Sequence, residues 1–151
     1  MEWIKLGHVM FAAIWFGGTV YVEALMANAA RTNDPQIRGI VAMRVGKTNL
    51  RVFSIAGLLT LVFGLWLVLA EDAWEFSDVF VSVGFLVAII GIVLGIGFFT
   101  PQMKKIEAVI AERGPQDPEV AARGARISMG AHLMTLLLLV AMVFMVIRPG
   151  M

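Results

Sequence analysis

The sequence predicts an all-α membrane protein, an antiparallel four-transmembrane-helix bundle with helical extensions on the cytoplasmic side. Three observations predict it. Hydrophobic residues make up 60% of the 151-residue chain, above the roughly half found in soluble domains. Four apolar runs, about 3–27, 52–70, 79–100 and 127–147, approach the ~20 residues needed to cross a bilayer. Basic residues crowd two of the three connections and avoid the third. What lies between the runs is short, so 1–151 reads as a single integral membrane domain. Several runs are apolar on every face, which argues against a soluble bundle.

The first run, IKLGHVMFAAIWFGGTVYVEALM, has a polar stripe. At 100° per residue, Lys5, His8, Ala12, Trp15, Thr19, Glu23 and Met26 share a narrow arc. Leu6, Met10, Ala13, Gly17 and Ala24 lie opposite. The stripe is expected to face protein and the other side lipid. The run is too long for a signal peptide and lacks a clean small-x-small cleavage site, so it reads as a retained span.

The first connection carries Arg31, Arg38, Arg44, Lys47 and Arg51; the third carries Lys104, Lys105, Arg113, Arg123 and Arg126. The second carries Glu71, Asp72, Glu75 and Asp78 and no Lys or Arg. The positive-inside rule puts connections one and three in the cytoplasm and both termini outside. Trp3, Trp66 and Trp74 then lie near outer span ends, as interfacial anchors. Lys5 and Arg148 are the two basic residues outside this pattern; they are either snorkelling anchors or cations for an anionic group near His8.

Asp34-Pro35 and Asp117-Pro118 each offer an N-cap followed by proline at the first helical position. The first opens either a juxtamembrane helix with Ile37, Ile40 and Val41 on one face or the lead-in to span two. Span three should continue through KKIEAVIAER to a Gly114 C-cap, with a kink at Pro101. Spans three and four thus form a hairpin projecting into the cytoplasm. Gly91 and Gly95 make a small-xxx-small pair, for packing inside the bundle or for a homodimer. Ser54, Gly57 and Gly64 give span two a second narrow surface.

The chain has no cysteine, which excludes disulfides, thiolate ligands and covalent c-type haem attachment. No phosphate loop, nucleophile elbow or zinc-ligand spacing is present, and no nucleic-acid partner is expected. The candidate ligands are His8, His132, Met142 and Met145. A histidine at membrane depth is either a ligand or an interhelical hydrogen-bonding group. His132 shares a face with Ser128 and Thr135, which favours a structural role. The two histidines sit near opposite membrane surfaces, roughly 15–20 Å apart in a hydrocarbon core of about 30 Å, too far to ligate one iron. Met142 and Met145 lie at the level of His8; thioethers suit haem iron and Cu(I), but methionine is also ordinary apolar packing. Glu23, near the inner end of its span, is expected to pair with Arg51 or Arg126.

The stretch WIKLGHVMFAAIWFGG, with Trp15 seven residues after His8, resembles the first helix of the bacterial four-helix membrane protoporphyrinogen oxidases and the membrane domain of copper-resistance D proteins. VFGLWLVL and VAMVFMVIRPG are similar to the same group. Over essentially the whole chain the sequence resembles a family of small bacterial integral membrane proteins of unknown function. The resemblance implies a bacterial inner membrane location and a b-type haem on His8. Tyr21 is followed by Val22 and Glu23 rather than by the oxidases' proline and basic residue, and 79–100 has no basic residue or histidine. Haem binding is therefore expected without porphyrinogen oxidation.

The expected function is a membrane haem b protein with a one-electron redox role. His8, Lys5, Trp15 and Arg148 would stand at the cofactor, with an unnamed electron donor or acceptor; whether the haem serves an oxidoreductase reaction is left open. The alternatives are copper handling by His8 and methionines, or a non-catalytic membrane subunit whose basic hairpin docks a cytoplasmic partner.

Overall fold

The computed structural model describes residues 2–70 and 75–148, without the side chains of 45–47, 49 and 50. Helix α1 spans Glu2–Arg31, α2 Pro35–Ala70, α3 Val79–Leu94, α4 Thr100–Arg113 and α5 Pro118–Ile147. A π-helical turn, Gly95–Phe99, joins α3 to α4 without a break. No strand occurs among the described residues. The runs Glu2–Arg31, Arg51–Ala70, Val79–Arg113 and Pro118–Ile147 are each long and apolar enough to cross a membrane. Trp74, Glu71 and Asp72 lie outside the described residues.

The helices alternate in direction. The most extensive contact joins α1 to α2; α3 packs on α5, and α1 also meets α5. One end of the bundle carries both termini and the α2–α3 connection; the other carries the α1–α2 turn and the α4–α5 hairpin. These are the terminal end and the hairpin end below.

The punctuation is local chemistry. Asp34 Oδ1 accepts from the Gln36 amide at 2.8 Å, and Asp117 Oδ1 from the Glu119 amide at 2.9 Å. Each satisfies an amide that has no partner within the helix. Gly114, at φ +89°, ends α4 and returns its amide to the Ile110 carbonyl. The α2 segment around Ile37 and Ile40 is a lead-in rather than a separate surface helix: α2 runs 36 residues unbroken, about 54 Å at helical rise.

Pro101 has no amide hydrogen and its ring crowds the preceding turn. The chain accommodates it with the π turn just before it, where both the Thr100 amide and its hydroxyl (2.7 Å) donate to the Gly95 carbonyl. The expected disturbance at Pro101 is therefore a π-bulge.

Two cores result. Trp15, Ala56, Val87, Met134 and Leu138 bring all four spans together within the bundle. Met103, Ile106 and Val109 of α4 pack on Val120 of α5 beyond it. Lipid is as apolar as the first core, so close packing holds it together. The second gains from removal from water, about 1.5–3 kcal/mol for a fully buried side chain such as Ile106. Arg113 binds Glu119 across the hairpin, and Arg123, paired with Glu119 within α5, reaches across to Gln102 at 3.0 Å.

Candidate functional site

Helix α1 presents its faces as the periodicity predicts. Trp15 and Thr19 are buried, and Lys5, His8, Ala12, Glu23 and Met26 are partly covered; Leu6, Met10, Ala13, Gly17 and Ala24 are exposed. The stripe faces α2 and α5.

The packing of α1 on α2 follows a reversed register. The seven-residue interval between His8 and Trp15 is matched in the antiparallel sense by Gly57 and Gly64. A Cβ at Gly64 would stand 3.0 Å from His8 Cε1, and one at Gly57 would stand 3.3 Å from the Trp15 indole. The missing side chains are the holes into which the two rings fit. Trp15 is also clasped by α3, since a Cβ at Gly91 would stand 2.8 Å from its Cζ2 and 2.9 Å from Met134 Cε. The Gly91/Gly95 pair is thereby split: Gly91 receives an aromatic ring inside the bundle, while Gly95, in the π turn, has open space where a Cβ would be.

His8 approaches closely enough to reach the backbone of α2. Its Nδ1 lies 3.0 Å from the Thr60 carbonyl oxygen. A carbonyl only accepts, so Nδ1 carries the proton and Nε2 carries the lone pair. Such a bond fixes ring orientation and raises the basicity of the other nitrogen, as outer partners of ligating histidines do.

The His8 ring lines a cavity of about 390 Å³ between the four spans at the terminal end, within the ~300–1,000 Å³ of small-molecule sites. Trp15, Lys5, Arg148, Met142 and Met145 line the same cavity. Of the residues singled out in the sequence as cofactor contacts or ligands, all but His132 line this cavity. Lys5 and Arg148 each make contacts of their own. Arg148 ends α5 in the left-handed region, at φ 47° and ψ 61°, with its guanidinium carbon 5.9 Å from the Phe80 ring centre. A non-glycine residue there bears a cost of about 1–2 kcal/mol, and such outliers concentrate at functional sites.

His132 lies elsewhere. Its Nδ1 donates to the Ser128 carbonyl at 2.6 Å, and its Nε2 is 3.8 Å from Glu23 Oε2. Glu23 Oε1 accepts from the Thr135 hydroxyl at 2.5 Å. The expected partners of Glu23, Arg51 and Arg126, are not the ones it meets: α5 presents Thr135 and His132 to it instead. Glu23 is fifteen residues along α1 from His8, about 22 Å at helical rise, so the histidines occupy separate sites. Among the described residues no three His, Asp or Glu side chains converge; a metal at His8 would need thioether or non-protein ligands.

Sequence reasoning missed Thr60 as the partner of His8 and Thr135 as the partner of Glu23. The signal for the first was present: Thr60 and Gly64 are one turn apart on the face that also carries Gly57.

Fold and site define a polytopic four-helix membrane protein with an apolar cavity entered by one oriented histidine and two cations. The chain belongs to the family described as "Predicted integral membrane protein (DUF2269)", which matches residues 2–149. No curated protein and no solved structure matches it.

Proposed function

We propose that this chain is a membrane haem b protein with a one-electron redox role, and that His8 would hold the iron. One observation carries the reading. The Thr60 carbonyl holds the His8 proton on Nδ1, leaving the Nε2 lone pair on a ring that lines an apolar cavity. The other residues fit the same group. Lys5 and Arg148 supply two cations for two propionates, and Trp15 closes the cavity on the side facing the bundle core. Met142 or Met145 would supply a thioether to the same iron. Bound haem contributes a one-electron iron couple; the chain contributes ligation, a low dielectric and charge compensation. This reading agrees with the resemblance of the first helix to membrane protoporphyrinogen oxidases, without the helix-three residues that accompany their activity.

A second reading rests on the two methionines. His8 with Met142 and Met145 is a nitrogen and two soft sulfurs around one cavity, a donor set suited to Cu(I). The visible spectrum of protein purified from haem-replete cells separates the two. A Soret band with a reducible α band supports haem; their absence together with stoichiometric copper replaces haem by copper. Absence of both overturns both readings.

The proposal includes an orientation. The charge bias favours a hairpin end facing the cytoplasm of a bacterial cell, with the cavity toward the outer surface. With no native cysteine, Ser77→Cys should react with an impermeant thiol reagent from outside and Gln116→Cys should not. The opposite pattern reverses the orientation.

A further inference from the structure

At the hairpin end an open groove of about 530 Å³ is lined by residues of α2 and α4. It lies where the apolar span Arg51–Ala70 begins and where the π turn gives way to α4 at Thr100. Arg51 and Lys104 stand on its two sides, with Ser54 beside Arg51 and Glu107 one turn beyond Lys104. Met103 forms a buried floor and Ile55 an exposed apolar wall.

The cations are the informative part. Glu23, the acid expected to neutralise Arg51, is taken up by Thr135 and His132. Among the described residues neither Arg51 nor Lys104 has a carboxylate within ion-pair distance. Two cations from different helices line one groove at the level where apolar span meets polar extension, so an anion in it meets both. Arg51 and Lys104 bring two cations to the lining, while Glu107 makes contacts of its own. A phosphodiester whose remaining headgroup is uncharged brings net negative charge to these cations; a zwitterionic headgroup brings none. Below the groove, Ile55, Leu58 and Val62 are exposed along α2 toward the membrane centre, an apolar track for an acyl chain.

We propose that the α2–α4 groove binds an anionic phospholipid of the phosphatidylglycerol type, its phosphate held between Arg51 and Lys104. Basic sites between transmembrane helices at the headgroup level recognise lipid phosphates in this way. The arginine supplies a planar fork for two phosphate oxygens and the lysine a point charge. The site is at the opposite end of the bundle from the His8 cavity and does not depend on what that cavity holds.

The test uses the full chain, delipidated in detergent, and native mass spectrometry with dioctanoyl phosphatidylglycerol or dioctanoyl phosphatidylcholine. Wild type should retain the anionic lipid at least about tenfold better, the value of one charge-assisted hydrogen bond. Arg51→Gln and Lys104→Gln should each reduce that preference to near equality. Lys105→Gln, adjacent in sequence and outside the groove, should keep it. Equal retention of both lipids by wild type overturns the proposal, as does a Lys105→Gln loss as large as that of Lys104→Gln, which would mark a diffuse basic surface. Excess inorganic phosphate should leave the lipid bound; displacement by phosphate makes this a free-anion site and overturns the lipid assignment.

Discussion

The bundle has a polar crossing near each end, both anchored on the stripe of α1, and the two differ in what they leave available. At the terminal end His8 donates to a backbone carbonyl of α2, and its ring lines the wall of a cavity. At the hairpin end Glu23 accepts from Thr135, and both nitrogens of His132 face oxygen atoms, those of Ser128 and Glu23. The second crossing joins α1 to α5 through side chains, away from the cavity. Both histidines donate Nδ1 to a backbone carbonyl and differ in what their rings then meet: His8 lines an apolar cavity, whereas His132 is exposed with Nε2 3.8 Å from a Glu23 oxygen. An intramembrane histidine is thus informative only once its partner is known.

The contrast between the ends is most exposed at the histidines themselves. His8→Ala should abolish the haem spectrum, while His132→Ala should retain it at wild-type intensity. Equal loss in both, in protein of unchanged helical content, would remove the distinction between the two ends.

The next effect in size is expected at Gly64. A Cβ there would stand 3.0 Å from His8 Cε1 and 3.2 Å from Nδ1, so any larger side chain meets the ring. Gly64→Val should displace the ring from the Thr60 carbonyl and weaken or shift the haem spectrum. Gly17→Ala, where a Cβ meets nothing within 4 Å, should leave it alone. An unchanged spectrum in Gly64→Val would show that the Thr60 bond does not orient the ligand.

Lys5→Gln and Arg148→Gln probe the terminal end further. Each removes a charge-assisted interaction of about 1.5–3 kcal/mol if the cations meet propionates. Haem retention should fall or the midpoint potential shift in each, and further in the double variant. Wild-type retention and potential in the double variant would reduce both residues to interfacial anchors.

At the hairpin end Glu23→Gln and Thr135→Ala should lower thermal stability in detergent by about 0.6–2 kcal/mol, the range for interhelical hydrogen bonds in membranes, with the haem spectrum intact. A spectral change as large as that of His8→Ala would couple the two ends.

The weakest effect belongs to the α4–α5 tip, in the polar extension beyond the apolar run 127–147. Hydrogen bonds from Arg123 and then Arg113 hold the Glu119 carboxyl below the ordinary carboxylate range. Its folded value is depressed, so its contribution is complete above the ordinary range and is lost as pH falls through the folded value. Amide exchange over 113–123 should accelerate on acidification into that window in wild type. Glu119→Gln should lack that step, and an identical step there would assign it to another group.

Legibility varied with the range of the interaction. The stripe of α1, the caps at Asp34, Asp117 and Gly114, and the separation of the two histidines were readable because each depends on helical geometry over a few residues. The His8 site was readable as a set of residues at one level, since antiparallel spans bring Lys5, Met145 and Arg148 together. Its inner construction was not. Thr60 and Gly64 become the receiver of His8 only in the register in which α1 and α2 pack, and register is a relation between two helices. The misassignment of Glu23 to arginines has the same origin: charge suggested a partner that helix rotation turned away.

Residue order alone is enough to specify that this chain fills a membrane with four helices, which way the polar face of α1 turns, and where the caps at Asp34, Asp117 and Gly114 fall. Hydrophobicity, period and capping are written residue by residue and need no remote partner to act. Three outcomes had to wait for the packed bundle: which nitrogen of His8 carries a proton, that Gly91 holds an aromatic ring rather than another helix, and that Pro101 is absorbed by a π turn. They depend on shape complementarity between packed surfaces, where a missing Cβ or a single carbonyl selects among arrangements that composition leaves equal.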